Sequence, residues 1–268
     1  MNTRKNATLG LVGLALVAGA APASAGALFD GGELTGEISA GFDSRYYFRG
    51  LWFGDETAWT NISLSKQLSE KLTGSVNIFY TDVIDNTLSY SEANFGATLS
   101  YDAGYGTFDF GLLHYQFYDG FAGDSLPSSA GVAANRDASE ANITYSQDFC
   151  SGWSGHATIA YDFRIDAGYA ELGLAKSWAL TDAIGMDFSV ATGLSIDDYY
   201  SEDLAGDAAN GFTHTLVSLA FPIQLTEASV FTPYVAANFS HEARDSVNAF
   251  ADPGGDEVYF GASFAVGF

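Results

Sequence analysis

The chain has 268 residues, of which 47% are hydrophobic, 15% aromatic and 16% charged, a content that excludes an intrinsically disordered protein. Its 10 Lys and Arg residues stand against 33 Asp and Glu residues, giving a formal net charge of -23. A nucleic-acid partner is disfavoured, because binding to phosphates requires a cationic surface that releases their counterions.

The first 25 residues have the three regions of a secretory signal peptide. Arg4 and Lys5 supply positive charge, residues 9–19 are apolar, and residues 23–25 form a small-residue cleavage site. The apolar stretch is shorter than the roughly 20 residues that span a bilayer. We therefore expect cleavage after residue 25 and a single domain over residues 26–268.

The rest of the chain alternates between apolar and polar residues, a period of two that predicts β-strands with one apolar face. No apolar run is long enough for a transmembrane helix, so the alternation favours strands that cross a membrane. We predict an antiparallel, up-and-down transmembrane β-barrel of about 12 strands, and boundaries uncertain by about 2–4 residues leave ten or fourteen strands open. The predicted strands are residues 34–48, 57–68, 72–82, 90–102, 107–117, 138–148, 154–164, 168–178, 183–195, 211–225, 229–240 and 257–268.

The predicted connections alternate in length, as they do in outer-membrane barrels with short periplasmic turns and longer extracellular loops. The segment 125–134 is expected to be a mobile surface loop rather than a constriction of the pore, and 165–167 is the one short extracellular connection. The short set is 69–71, 103–106, 149–153, 179–182 and 226–228, and the longer set is 49–56, 83–89, 118–137, 196–210 and 241–256.

The final strand ends on alternating apolar residues and a terminal aromatic, Phe264, Val266 and Phe268. This ending is typical of the signal read by the barrel-assembly machinery, so we predict the outer membrane of a Gram-negative bacterium, with lipid around the barrel. Aromatic residues near strand ends are expected to face that lipid as interfacial girdles. They are Tyr46, Phe48, Tyr80, Tyr101, Tyr145, Tyr161 and Trp178.

The polar faces of the predicted strands place charged residues in the lumen. The pore-lining candidates are Asp43, Arg45, Arg49, Glu92, Glu140, Asp162, Arg164, Glu171 and Glu257, with Glu37, Asp109 and Asp187 as further inward acids. Ser-Glu-Ala-Asn occurs at 91–94 and again at 139–142, and Glu92, Glu140, Glu171 and Glu257 are expected at similar heights near the outer mouth. A carboxylate ring attracts cations; alternatively, these acids pair with Arg164, Arg45 and Arg49 and stabilise the wall.

The segment Ser44-Arg45-Tyr46-Tyr47-Phe48-Arg49-Gly50 resembles the S-x-Y-x-F-R-G signature of the TorF-like family of outer-membrane porins. The match covers seven residues, and residues 51–55 depart from the Ser/Gln-rich continuation of that family. The resemblance implies an outer-membrane pore of unassigned substrate. Arg49 is then either a residue of the pore mouth or a clamp for a loop.

The favoured function is a porin-like channel for passive diffusion of small solutes or cations, cation-preferring through its acidic lumen. One alternative is a non-conducting structural or adhesive barrel, because the acidic loop 196–210 offers ligands for divalent cations. A lipid hydrolase is less favoured, because it needs a histidine that activates a serine, and neither Ser154 with His156 nor Ser240 with His241 is well placed. We expect no enzymatic activity, cofactor or bound metal, and a homo-oligomer remains open.

Overall fold

The computed structural model describes residues 34–84, 91–119, 137–200, 209–241 and 255–268. The expected signal peptide, the segment 125–134 and the acids of residues 201–208 lie outside these ranges. The described strands are β1 (Leu34–Phe48), β2 (Leu51–Ser69), β3 (Leu72–Val83), β4 (Ser91–Asp102), β5 (Thr107–Asp119), β6 (Ala138–Asp148), β7 (Trp153–Asp162), β8 (Ala167–Ala179), β9 (Gly185–Tyr200), β10 (Ala209–Ala220), β11 (Ile223–Gln224), β12 (Ser229–Ser240) and β13 (Glu257–Gly267). A 3-10 turn, Cys150–Gly152, precedes β7, and no helix in these ranges is long and apolar enough to cross a membrane.

The strands form one closed antiparallel barrel. Each strand from β1 to β10 pairs with the next, β10 pairs with β12, and β13 lies between β12 and β1. The two-residue strand β11 belongs to the connection between β10 and β12. The predicted barrel is therefore confirmed, with 12 strands in its wall.

The two ends of the barrel differ. One end carries both the start of β1 and the end of β13, which hydrogen-bond through Gly36 and Phe268, together with the short turns; we call it the terminal end. The other end, the loop end, carries the β1–β2 hairpin, the β7–β8 turn and the ends of the described ranges between which the longer connections run in sequence, at 84 and 91, 119 and 137, 200 and 209, and 241 and 255. The predicted alternation of turns and loops holds at most connections.

Side chains alternate across the wall. On β13, Phe264 is 44% exposed and Val266 36% exposed on the outside, whereas Ser263 and Ala265 between them are each 5% exposed. The outward set is apolar, as contact with lipid requires, and the buried set lines the lumen. Phe268 packs on the outside, where its ring occupies the space that a side chain at Gly36 would need.

The predicted bounds of two loops, 49–56 and 196–210, are wrong. β1 and β2 continue through the predicted loop 49–56 and are joined by the two-residue turn Arg49-Gly50, whose φ angles of 51° and 82° are those of a hairpin turn with a left-handed conformation at both positions. β9 likewise extends to Tyr200 and β10 begins at Ala209, inside the predicted loop 196–210. Glycines and acids at these places resemble loop sequence, although here they belong to strands that extend beyond the wall.

An arginine on the outer face should destabilise the barrel according to its depth in the bilayer. Ile78, exposed in the middle of β3, and Tyr101, exposed near the terminal end of β4, both point outward. We expect Ile78→Arg to lower the free energy of unfolding by about 2–4 kcal/mol and Tyr101→Arg by about 1 kcal/mol or less, because the midplane is the driest layer. Denaturant unfolding in lipid vesicles measures both, and equal losses would contradict this orientation of the wall.

Candidate functional site

The β1–β2 hairpin leaves the barrel wall at its loop end. β1 pairs with β13 only from Glu37 to Asp43, and β2 pairs with β3 only from Thr57 onward. The Glu56 carbonyl accepts one further bond from the Ile84 N–H, and from Arg45 to Asp55 the two strands pair with each other alone among the described strands. We call residues 44–56 the inturned hairpin, because their side chains contact lumen-facing residues on several sides of the barrel.

Irregular backbone accompanies the inward turn. Phe53 is an extra residue in β2, and the register with β1 shifts between Tyr46 and Tyr47; such a bulge bends and twists a strand. Gly54 has a φ of 154°, and a β-carbon there would lie 2.5 Å from Cγ1 of Val83 on β3. A glycine at this position thus allows the hairpin to approach β3 closely.

Three polar side chains of the inturned hairpin each bond one acid of the predicted carboxylate ring. The pairs are Tyr46 with Glu92 (2.6 Å), Arg45 with Glu257 (2.8 Å) and Arg49 with Glu140 (2.7 and 2.8 Å). The three acids stand on β4, β13 and β6, so the bonds reach different parts of the wall. The alternative that the acids pair within the protein is therefore the correct one for these three residues.

The Ser-Glu-Ala-Asn repeat has the same geometry in both copies. Asn94 donates to Glu92 at 3.1 Å, and Asn142 donates to Glu140 at 3.3 Å. Residues two apart in a strand share a face, so each asparagine orients the carboxylate of its own strand within the lumen. The repeat supplies two of the three acids that bond the inturned hairpin.

Arg49 is enclosed by the wall. Its side chain is 7% exposed and that of Glu140 is 1% exposed. The guanidinium carbon lies 4.9 Å from the ring centre of Phe48, 4.4 Å from that of Tyr169 and 5.2 Å from that of Tyr199, and Nη1 also donates to the Tyr199 hydroxyl. These contacts offset the cost of about 1–2 kcal/mol that a left-handed conformation imposes on a non-glycine residue.

Further contacts fill the loop end of the lumen around Arg49. Leu51 is 5% exposed and packs in one cluster with Tyr169 on β8. The Gly50 carbonyl accepts a hydrogen bond from Asn238 on β12 at 3.3 Å, and a β-carbon at Gly50 would lie 2.5 Å from Cγ of His214 on β10. The inturned hairpin therefore spans the lumen and constricts it near the loop end.

Two residues predicted for the lipid-facing aromatic girdle, Tyr46 and Phe48, lie inside the barrel instead. Tyr46 is 5% exposed, and Phe48 packs on Tyr115 inside the barrel, with ring centres 5.8 Å apart. Both were assigned to lipid by their period of two, but the strand carrying them has left the wall, so both of its faces lie in the lumen. The remaining predicted residues that are exposed on the outside are Tyr80, Tyr101, Tyr161 and Trp178.

The other predicted pore acids are also bonded within the protein. Asp43 accepts from the Tyr234 hydroxyl, and Asp162 accepts from the backbone of the β7–β8 turn. Glu171 lies 3.1 Å from His156 and accepts from Tyr169 at 2.9 Å. Arg164 is exposed in the β7–β8 turn, so its predicted pairing with Glu140 and Glu171 is wrong; Arg49 and His156 take those places.

Three inward acids occupy the opposite half of the lumen. Counted from the terminal end, Glu37 is the fourth residue of β1. Asp109 is the third residue of β5, and Asp187 is the third residue of β9. These strands are four apart around the wall, so the acids are evenly spaced. Among the described arginines and lysines, only Arg45 and Arg49 bond lumen acids, and both do so at the loop end. His156, the fourth residue of β7 from the terminal end, also faces the lumen, but its ion pair is with Glu171. Glu37, Asp109 and Asp187 therefore have no ion pair with a base of the described ranges.

One histidine–serine contact escaped the sequence analysis. His114 Nδ1 lies 3.0 Å from Ser139 Oγ on the neighbouring strand, and Asp137 lies 3.9 Å from the other ring nitrogen. Spacing along a single strand does not reveal this contact, because strand pairing places His114 opposite Ser139 on the neighbouring strand. The group lies on the outer face at the loop end.

No protein-family model matches the chain, and no curated protein matches it. Its fold is shared by LpxR from Salmonella typhimurium (10% identity, TM-score 0.51, 87% of this chain and 99% of that one). An outer-membrane channel from Pseudomonas putida F1 is also similar, with 13% identity, a TM-score of 0.48 and coverage of 90% of this chain and 97% of that one. The translocator domain of the autotransporter NalP from Neisseria meningitidis has 10% identity, a TM-score of 0.48 and coverage of 88% of each chain. At such identities the likeness extends to the β-barrel fold alone.

Removing the carboxylate of Glu140 should release the inturned hairpin. Glu140→Gln leaves the buried Arg49 without its counter-charge, and we expect the free energy of unfolding to fall by about 3–5 kcal/mol and trypsin to cleave after Arg49 in the folded barrel. Glu257→Gln is the matched control, because Arg45 and Glu257 are 29% and 25% exposed and such a pair contributes about 0–1 kcal/mol. Indistinguishable effects in the two variants would contradict the central place of Arg49.

Proposed function

We propose that the protein is an outer-membrane channel for small solutes, cation-preferring, with the loop end extracellular. Support comes from the closed barrel, its apolar outer face and a lumen lined by Asp, Glu, Asn, Ser and Thr side chains. The orientation follows from the chain ends and short turns at the terminal end, which are periplasmic in outer-membrane barrels. The inturned hairpin makes the passage narrow and selective rather than wide.

The observation that carries the cation preference is the even spacing of Glu37, Asp109 and Asp187 on β1, β5 and β9. Carboxylates in a lumen attract cations and repel anions, and the low-dielectric wall strengthens their field. Glu92, Glu140 and Glu257 contribute less to selectivity, because each is bonded to the inturned hairpin.

The proposed selectivity is tested in planar bilayers with the refolded barrel. Under a KCl gradient we expect a cation-selective reversal potential, which a Glu37→Gln, Asp109→Asn, Asp187→Asn variant shifts toward equal permeability for K⁺ and Cl⁻. A variant with Glu70→Gln, Asp148→Asn and Asp182→Asn makes the same charge change at exposed residues of the terminal-end turns and should keep the wild-type potential. Unchanged selectivity in the first variant would overturn the assignment of these acids.

The motif at residues 44–50 has a structural role, because its Arg45, Tyr46 and Arg49 are the residues that bond the wall acids. We propose that this segment is the constriction of the channel and that its displacement widens the passage. Membership of the TorF-like porin family is part of the same proposal.

Displacing the inturned hairpin should increase conductance. In Gly50→Val, the new side chain collides with His214, and we expect larger and more frequent openings than in the wild type. Gly104→Val is the control, since Gly104 has a φ of 85° against 82° at Gly50 but no atom within 4 Å of its β-carbon position. If the wild type and the Gly50→Val variant both fold into barrels and neither conducts ions, the channel proposal is overturned.

Ester hydrolysis at the outer face is the second candidate function, and the 3.0 Å contact between His114 and Ser139 favours it. A serine activated by histidine becomes a nucleophile, but the 3.9 Å distance to Asp137 is long for an orienting hydrogen bond. We expect a fluorophosphonate probe to leave the folded barrel unlabelled. Labelling lost in Ser139→Ala and retained in Ser154→Ala would instead establish a reactive Ser139.

A further inference from the structure

The wall around Arg49 has the composition of a binding site for a planar cation. Glu140 on β6 supplies a carboxylate, and Tyr169 on β8 and Tyr199 on β9 supply two rings within 5.2 Å of the guanidinium carbon. None of the three belongs to the inturned hairpin: Glu140 and Tyr169 stand in the paired wall, and Tyr199 stands in the end of β9 that extends beyond its pairing with β8. We call Glu140, Tyr169 and Tyr199 the wall cage.

The wall cage is held in place by bonds that do not involve the inturned hairpin. Asn142 donates to the Glu140 carboxylate at 3.3 Å, and the Tyr169 hydroxyl donates to Glu171 at 2.9 Å. The rings of Tyr169 and Tyr199 also contact each other, with centres 5.5 Å apart. Glu140 and Tyr169 would thus keep their positions when the hairpin moves away, and Tyr199 would keep its ring contact with Tyr169, which is the preorganisation that favours binding.

We propose that the wall cage binds a guanidinium-bearing cationic solute and that Arg49 is its resident occupant, which the solute replaces as the inturned hairpin moves aside. This inference rests on the proposed channel function and names the class of solute. Two parallel hydrogen bonds to one carboxylate match the planar fork of a guanidinium, and the tyrosine rings stack on its face. An ammonium ion is a more strongly hydrated point charge without that fork.

The binding test uses the refolded full-length barrel in detergent and does not depend on conductance. In Arg49→Ala, we expect methylguanidinium to bind in isothermal titration more tightly than methylammonium. Adding Glu140→Gln should weaken that binding on the order of 30-fold, because the partner of a buried cation is lost. Adding Glu70→Gln, the same charge change at an exposed residue of a terminal-end turn, should leave it unchanged. Equal binding of the two cations, or no effect of Glu140→Gln, would overturn the proposal.

The wild type provides a second measurement that is independent of the Arg49 variant. Methylguanidinium should accelerate chymotryptic cleavage after Trp52 or Phe53 of the inturned hairpin in the folded barrel more than methylammonium does at equal concentration. Only the guanidinium competes for the wall cage, and the hydrophobic specificity pocket of chymotrypsin binds neither cation. An equal response to both ions would overturn the proposal. Cation binding without any bilayer conductance would keep the wall cage and reject the channel, whereas conductance without guanidinium preference would reject the cage alone.

Discussion

Every backbone N–H and C=O group inside a bilayer needs a partner from the protein, and this constraint dictates the whole barrel. Closure of β1 on β13 and of β10 on β12 leaves no strand edge facing lipid. From Arg45 to Asp55, the two strands pair only with each other among the described strands, so their outer edges could not be satisfied in lipid. Inside the lumen they find polar partners, such as Asn238 for the Gly50 carbonyl.

The same constraint organises the charges. Arginines that enter a lumen of low dielectric require carboxylates, and Arg45 and Arg49 take theirs from β13 and β6. This pairing divides the lumen into a loop-end half, where acids hold the inturned hairpin, and a terminal-end half, where Glu37, Asp109 and Asp187 form no ion pair with a described base. In the proposed channel, constriction and cation preference therefore depend on different carboxylates.

Sequence patterns predicted the parts of the fold that depend on neighbours in the chain. Predicted strands 138–148 and 229–240 have the observed bounds, because the period of two reports directly which side chains face lipid. The repeat Ser-Glu-Ala-Asn also marked Glu92 and Glu140 as equivalent. It could not name their partners, because the chain brings Tyr46 and Arg49 to them from a distant segment, whereas Arg164 is nearer in sequence to Glu140.

The sequence by itself determined the barrel, its alternating faces, its turns and the presence of acids in the lumen, since each follows from local periodicity and composition. Only the tertiary structure decided that Tyr46 and Phe48 face inward, that the predicted loop 49–56 is a strand hairpin inside the barrel and that Glu140 bonds Arg49. The period of two says which residues share a face of a strand. Whether that strand lies in the wall or in the lumen depends on pairing with β3 and β13, which is set by contacts far apart in the chain.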